Sequence, residues 1–165
     1  MNKNKVRILG IDPGYGIVGF GVVEKEGNHF HCLDLGVIRT EKDQELAFRL
    51  NQIFTGINEI IEKYRPNESA IEKLFFLKNV TTAMAVSEAR GVIQLSLFRA
   101  GVEIFEYTPF QVKQAVTGNG HAEKGQIQRV LKMILHLETT PKPDDAADAV
   151  AIALCHGNSR TFFKN

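Results

Sequence analysis

The order of apolar and polar residues along the chain follows two different periods. Short runs rich in β-branched residues at 6–11, 17–24 and 29–40, separated by turn sequences, predict three strands joined as an antiparallel meander. From residue 46 to residue 64, apolar positions recur every three or four residues, which is typical of one face of an amphipathic helix. The same two periods predict the remaining elements, which are strands at 69–76 and 102–107 and helices at 80–100, 108–117, 123–136 and 144–155.

This element order, β-β-β-α-β-α-β-α-α-α, predicts a fold of the α/β class. Three antiparallel strands followed by βα units form a mixed five-stranded sheet flanked by helices. A chain of 165 residues with 44% hydrophobic residues suits one globular domain and excludes disorder along its whole length. Since no internal repeat or long linker divides it, we expect a single domain at 1–157 and a short polar tail at 158–165.

The net charge of +1 neither indicates nor excludes a nucleic-acid partner, because the clustering of basic residues decides phosphate binding. Between residues 107 and 137 there are four lysines and arginines and one acid. The remainder of the chain then carries 16 basic residues against 18 acidic ones. This asymmetry favours phosphate contacts in the 107–137 segment.

Cysteine content and hydropathy indicate the compartment. Cys32 and Cys155 are too few for a disulfide framework and lie in apolar stretches, so we expect buried thiols in a reducing environment. The longest uninterrupted apolar run, residues 149–155, is far shorter than a membrane span, and the first residues lack the apolar region of a signal peptide. We therefore expect a cytoplasmic protein without a membrane partner.

Two acids lie where the pattern predicts buried strands. Asp12 ends an apolar strand, and Glu72 shares a strand face with Ala70. Each has a plain structural interpretation, because Asp-Pro-Gly is a turn sequence and an edge strand can expose one face to solvent. A carboxylate on a buried face is otherwise costly unless it is paired or bound to a metal ion.

Two further acids open the last predicted helix. Asp145 and Asp148 are three residues apart and share a face, although acids in a first turn also complement the helix dipole. Asp144 is a competitor, because it too shares a face with Asp148. If these acids converge with Asp12 and Glu72 at one end of the sheet, their charges require protons or cations. Carboxylate oxygens suit Mg²⁺ or Mn²⁺, and two such ions would balance four acids and support phosphodiester cleavage.

Several segments resemble, in order and spacing, the motifs of the RuvC-type Holliday-junction resolvases, and the resemblance extends over about residues 6–156. The segments are Leu9-Gly10-Ile11-Asp12-Pro13-Gly14, Ala70-Ile71-Glu72-Lys73-Leu74-Phe75, Lys78-Asn79, Glu88-Ala89-Arg90-Gly91, Gln111-Val112-Lys113, Ala122-Glu123-Lys124 and Asp145-Ala146-Ala147-Asp148-Ala149.

The resemblance implies a ribonuclease-H-like fold and a crossover junction endodeoxyribonuclease that acts in homologous recombination and DNA repair. It implies a metal-binding catalytic set, in which Asp145 is selected over Asp144, made up of Asp12, Glu72, Asp145 and Asp148. It also implies three DNA contacts, in which Lys113 and Lys124 bind phosphate near the cut and Phe75 meets bases at the junction centre.

Members of this family act as homodimers that nick two opposed strands of a four-way junction, together with a branch-migration complex of RuvA-type and RuvB-type proteins. The resemblance therefore implies those partners here. Within the C-terminal region, the sequence predicts His156 at a helix end, and the short tail offers only Arg160 and Lys164 for further DNA contacts.

Two other functions fit part of the sequence. The segment from Asp12 to Gly16 also resembles the first phosphate loop of actin-like ATPases and sugar kinases, but those proteins need a second lobe, for which 165 residues leave no room. A non-catalytic junction-binding module on the same fold is the other alternative. The four acids argue against it, because a surface that only binds phosphate should avoid carboxylates.

Overall fold

The computed structural model describes residues 5–74 and 80–160. Its strands are β1 (Lys5–Asp12), β2 (Ile17–Glu26), β3 (His29–Arg39), β4 (Glu68–Glu72) and β5 (Glu103–Tyr107). Its helices are α1 (Leu46–Tyr64), α2 (Val80–Arg99), α3 (Pro109–Thr117), α4 (Lys124–Ile134) and α5 (Asp144–Ser159). The element order and the α/β class expected from the sequence are confirmed.

The five strands form one mixed sheet in the order β3-β2-β1-β4-β5. The pairs β1–β2 and β2–β3 are antiparallel, whereas β4 is parallel to both β1 and β5. The meander therefore occupies one half of the sheet and the βα units occupy the other. The β1–β4 pair joins the two halves at the centre of the sheet.

Helices cover both faces of the sheet, and each face has its own apolar core. On one face, α1 and α2 pack through Ile53, Ile57 and Ile93 against Leu9 and other strand residues. On the opposite face, α3, α4 and α5 form the second core with the even-numbered positions of β1. Because side chains alternate along a strand, this arrangement assigns every residue of β1 and β4 to one face or the other.

The helix α5 lies unusually close to the sheet, because glycines face it on β1 and β2. A Cβ atom added at Gly10 would lie 2.0 Å from the carbonyl oxygen of Ala149, and one at Gly19 would lie 2.0 Å from that of Asp145. Five alanines on α5 between residues 146 and 153 provide small side chains on the helix where it contacts the sheet. The close approach sets the position of the first turn of α5 above the sheet.

Two predicted boundaries are wrong. The strand β4 ends at Glu72 rather than at residue 76, because its neighbour β5 ends at Tyr107 and Thr108 then caps α3. Without a partner strand there, Lys73 and Leu74 do not extend the sheet. At the other end, α5 continues to Ser159, past the predicted end at residue 155.

His156 lies in the last turn of α5, as expected, but its ring is fully buried. The Tyr107 hydroxyl lies 2.7 Å from Nδ1 of His156, and Nε2 lies 2.9 Å from a carboxylate oxygen of Glu68. Arg160 donates to both oxygens of Glu68 at 2.5 and 2.7 Å. The guanidinium of Arg160, one of the two basic residues offered by the predicted tail, is thus held by Glu68. Lys164 lies outside the described residues.

Both cysteines are free thiols, with Cys155 buried and Cys32 half-buried. Burial raises the pKa of Cys32 to about 11 and that of Cys155 to about 12, so neither thiol ionises near neutral pH. None of the helices within residues 5–74 and 80–160 combines the length and the apolar character that a membrane crossing requires.

Candidate active site

The register of the central strands carries Asp12 and Glu72 to the same edge of the sheet. In the parallel β1–β4 pair, Ile11 lies opposite Ile71, and the next residue on each strand is an acid. Asp12 lies two residues after Gly10 on β1, and Glu72 lies two residues after Ala70, the partner of Gly10 on β4, so both acids lie on the same face of the sheet as Gly10. At Gly10 this face packs against α5. The two carboxylates therefore lie on the α5 face, at the carboxyl ends of neighbouring strands, where α/β proteins commonly bind ligands.

The first two turns of α5 add Asp145 and Asp148 to this edge. Gly19, which pairs with Asp12 across β1 and β2, is the residue that contacts the backbone of Asp145. The close packing of α5 on β2 thus places the start of the helix beside the end of β1. A helix approaching less closely would lift both carboxylates away from the strands.

The pKa values of the strand acids record this crowding of negative charge. Burial, followed by the charges of Glu72, Asp148 and Asp145, raises the pKa of Asp12 to about 7, and the charge of Lys124 opposes this rise. Burial and the charge of Asp148 also raise the pKa of Glu72. The site therefore carries more negative charge than its own residues neutralise.

Two lysines and two of the acids line one cleft of about 210 Å³. The polar walls of the cleft are Glu72, Asp148, Lys113 and Lys124, and its apolar walls are Pro109, Val112, Ile127 and Ala151. Lys113 comes from α3, which starts with the capping box predicted at Thr108 and Gln111. Lys124 is the first residue of α4, where Glu123 and Gln126 form a second capping box. Both helix starts are thereby held at the mouth of the cleft.

The sequence-predicted site residues fall into three groups. The structure brings the four acids and both lysines to one edge of the sheet, namely Asp12, Glu72, Asp145, Asp148, Lys113 and Lys124. Phe75 lies outside the described residues, so its contact with bases stays a prediction. Asp144, the competitor of Asp145, turns away toward α4, where it contacts Lys124 and Gln128.

Gln128 is a residue that the sequence patterns did not single out. Its amide nitrogen donates to Oδ1 of Asp144 at 2.8 Å. The sequence feature that could have identified Gln128 is its spacing from Lys124, because residues four apart on a helix share a face. That spacing alone identifies a neighbour of Lys124 but not the acid on α5 to which both bind.

The donor chemistry of the site fits a divalent metal ion. Its carboxylate oxygens are hard ligands of the kind that Mg²⁺ and Mn²⁺ prefer, and the raised pKa of Asp12 shows that a cation would be stabilised there. Within the two described ranges, no three acidic, histidine or cysteine side chains lie close enough together to enclose an ion as they stand. The fit therefore rests on ligand type and charge.

The raised pKa of Asp12 predicts how the metal-free protein responds to pH. Between its ordinary value of 3.8 and about 7, the folded state holds a proton that the unfolded chain has released. Stability of the metal-free protein should therefore fall as pH rises through this window. We expect Asp12→Asn, measured in EDTA at pH 8, to raise the free energy of unfolding by about 2 kcal/mol.

Thermal unfolding in EDTA at pH 4.5 and pH 8 checks this expectation. The gain from Asp12→Asn should be large at pH 8 and nearly absent at pH 4.5. Glu26→Gln, at the far end of the β1–β2 pair, is the matched control and should show no such difference. A gain from Asp12→Asn that is the same at both pH values would contradict the assigned ionisation.

A mixed sheet of this topology, with carboxylates at the ends of two central strands and at the start of a helix, defines a ribonuclease-H-like nuclease. A family profile described as "Crossover junction endodeoxyribonuclease RuvC" matches residues 8–156. The chain belongs to the RuvC family of crossover junction endodeoxyribonucleases. Membership of this nuclease family implies dependence on a divalent metal ion.

Similar proteins agree with this assignment. The chain is 63% identical over 158 residues to the RuvC crossover junction endodeoxyribonuclease of Petrotoga mobilis, covering 96% of this chain and 97% of that protein. Its structure resembles that of Thermus thermophilus RuvC in complex with a Holliday junction substrate, with a TM-score of 0.91, 34% identity and 96% of each chain covered. The yeast mitochondrial Holliday junction resolvase Ydc2 shares the fold, with a TM-score of 0.66, 14% identity, and 96% of this chain and 85% of that chain covered.

Proposed function

We propose that this protein resolves four-way DNA junctions by paired, symmetric nicks during homologous recombination and DNA repair. The observation that carries the proposal is the clustering of acids from β1, β4 and α5 at one edge of the sheet, beside a cleft that Glu72 and Asp148 line together with two lysines. Acids suit a metal-dependent phosphodiester hydrolase, and lysines suit the phosphates of its substrate. The similarity to a RuvC protein solved with a Holliday junction supports the choice of substrate.

The proposed cofactor is Mg²⁺ or Mn²⁺, with two ions per active site held by Asp12, Glu72, Asp145 and Asp148. Bound ions of this kind lower the pKa of water and stabilise the leaving oxygen of a phosphodiester. The burial of Asp12 and its neighbours' charges keep its own carboxyl partly protonated near neutral pH without a cation. A cation bound by these acids would offset their negative charge, which otherwise repels the DNA phosphate.

The lysines and Phe75 are the proposed DNA contacts. Lys113 and Lys124 line the same cleft as Glu72 and Asp148, so a phosphate bound by them would lie next to the acids. Phe75 follows Glu72 by three residues in the sequence, and an aromatic ring there could stack on an unpaired base at the crossover.

Substitution of the lysines tests the phosphate contacts. We expect Lys113→Ala and Lys124→Ala each to weaken junction binding and to reduce the slope of log affinity against log salt by about one unit. Lys63→Ala is the matched control, because Lys63 lies on α1 and pairs with Asp34. An unchanged slope in both cleft variants would show that these lysines only face solvent.

Paired nicks need two active sites, and we propose a homodimer that works with a branch-migration complex of RuvA-type and RuvB-type proteins. The exposed face of α2 supports the dimer, because Met84, Leu95 and Phe98 share one side of the helix and Phe98 is 76% exposed. Apolar side chains clustered in this way favour a protein interface. In the proposed assembly, each copy is a single nuclease domain that acts in the cytoplasm.

The alternatives weighed from the sequence are not favoured by the family assignment. Neither a sugar-kinase-type nucleotide site nor a non-catalytic module accounts for the four acids together with the relatives' shared endonuclease description.

Incubation with labelled DNA tests the proposal. A four-way junction and a linear duplex of the same arm sequence are each incubated with the protein in Mg²⁺ and in EDTA. We expect cleavage of the junction but not of the duplex, and only in the presence of Mg²⁺. Equal cleavage of the linear duplex, or full cleavage in EDTA, would overturn the proposed function.

A further inference from the structure

The helices α4 and α5 meet through a polar contact at the mouth of the cleft. The Lys124 ammonium lies 3.0 Å from Oδ2 of Asp148 and 3.4 Å from Oδ2 of Asp144. Gln128 donates from its amide nitrogen to the other Asp144 oxygen, Oδ1, at 2.8 Å. Both oxygens of Asp144 therefore have a partner on α4.

The spacing of these residues explains why the contact forms. Lys124 and Gln128 are four apart on α4, and Asp144 and Asp148 are four apart on α5, so each pair lies along one helix face. The two faces are complementary in charge and hydrogen bonding. Lys124 lies between the two acids, and Gln128 fixes the orientation of the outer one.

Asp144 is separate from the acids that crowd Asp12. The charges that raise the pKa of Asp12 come from Glu72, Asp148 and Asp145. Asp144 is 59% exposed on its side chain and directs its oxygens to α4. Its geometry is that of a partner for Lys124 rather than of a ligand for a metal ion.

Lys124 needs such a partner if it is to bind a phosphate at a defined place. A lysine carries its ammonium on a flexible four-carbon chain, and Lys124 is 48% exposed. A single exposed ion pair constrains such a side chain weakly. Two acids one helical turn apart confine the ammonium to the space between them, which is beside Asp148 at the cleft.

We propose that Asp144 is a positioning residue, which holds Lys124 at the cleft so that its ammonium meets the phosphate being cut. Gln128 supports this role by orienting the Asp144 carboxylate. The inference rests on the proposed function, because it concerns the reaction of the same cleft.

A positioning role and a simple charge effect have opposite consequences for Asp144→Asn. Removing a negative charge beside bound DNA by itself raises affinity and leaves the cleavage rate intact. Loss of positioning instead lowers the rate of the bound complex, since the ammonium no longer lies at the reacting phosphate. Rate and affinity measured separately distinguish the two.

The experiment measures single-turnover cleavage of a four-way junction at saturating protein in Mg²⁺, and junction affinity in Ca²⁺. For Asp144→Asn we expect a cleavage rate about tenfold lower, with affinity unchanged or tighter. Asp144→Glu restores the carboxylate and should recover most of the rate. Glu26→Gln, which removes a charge at the far end of the sheet, should match the wild type.

A second background tests whether Asp144 acts through Lys124. In Lys124→Ala, adding Asp144→Asn should produce no further loss of rate, because the group that Asp144 positions is gone. Gln128→Ala should lower the rate in the same direction as Asp144→Asn and by less. Thermal unfolding of each variant identifies any loss that comes from misfolding, and Gln128→Ala, which removes the donor that orients Asp144, then serves in place of a misfolded Asp144→Asn.

The outcomes distinguish a failure of the proposed function from a failure of the role assigned to Asp144. A wild-type protein that does not cleave the junction overturns the proposed function itself. A wild type that cleaves and an Asp144→Asn variant that cleaves equally fast overturn only the role of Asp144. Equal losses from Asp144→Asn with and without Lys124 also overturn it.

Discussion

Replacing any one of the four clustered acids by its amide is expected to remove nearly all junction cleavage while junction binding persists. The substitutions are Asp12→Asn, Glu72→Gln, Asp145→Asn and Asp148→Asn. Each removes an oxygen ligand from a site whose chemistry depends on divalent cations. We expect at least about a hundredfold loss of single-turnover rate, which corresponds to about 2.7 kcal/mol of activation free energy.

Binding separates a catalytic role from a structural one in these variants. Each substitution removes a negative charge beside the DNA, so affinity for the junction should stay constant or increase. Glu26→Gln provides the matched loss of charge at the opposite end of the sheet and should cleave normally. Variants that lose folding and binding together would show that the acids serve the structure alone.

The second large effect concerns the backbone that carries the acids. Gly19→Ala would place a Cβ atom 2.0 Å from the carbonyl oxygen of Asp145, which belongs to the backbone and cannot rotate away. The helix α5 must then move off β2. We expect a loss of about 3 kcal/mol in the free energy of unfolding. Cleavage should also fall by more than about tenfold, because the first two turns of α5 carry Asp145 and Asp148.

Gly125→Ala is the control for this substitution. Gly125 lies in α4, and an added Cβ meets nothing within 4 Å. Because alanine favours helix over glycine, thermal stability should stay the same or rise slightly. A Gly19→Ala variant as stable as the wild type would show that α5 does not depend on this close approach to the sheet.

Much of the fold follows from local patterns. The change from alternating to helical periodicity near residue 46 predicts where the meander ends, and Thr108 with Gln111 predicts the start of α3. These features are encoded within a few consecutive residues, so a single sequence suffices to find them. Asp12 and Glu72 could also be recognised as candidate site residues from the sequence, because burying a carboxylate in an apolar strand is costly unless it is paired or bound to a metal ion.

Features that depend on contacts between distant segments could not be predicted. The end of β4 at Glu72 follows from the end of β5, and apolar residues after Glu72 suggest the opposite. The burial of His156 depends on Glu68 and Tyr107, which lie 88 and 49 residues away in the chain. The role of Asp144 depends likewise on the packing of α4 against α5, whose partners no local spacing identifies.

The positions of the cuts show whether the four clustered acids cleave junctions in a paired, metal-dependent reaction. The most direct measurement maps the cuts on a four-way junction whose four strands are labelled in turn, with DNA ligase added to the products. We expect nicks in Mg²⁺ at symmetric positions of two opposed strands, with products that ligase seals into intact duplexes. Cuts at unrelated positions, products that ligase cannot seal, or equal cutting in EDTA would contradict this expectation.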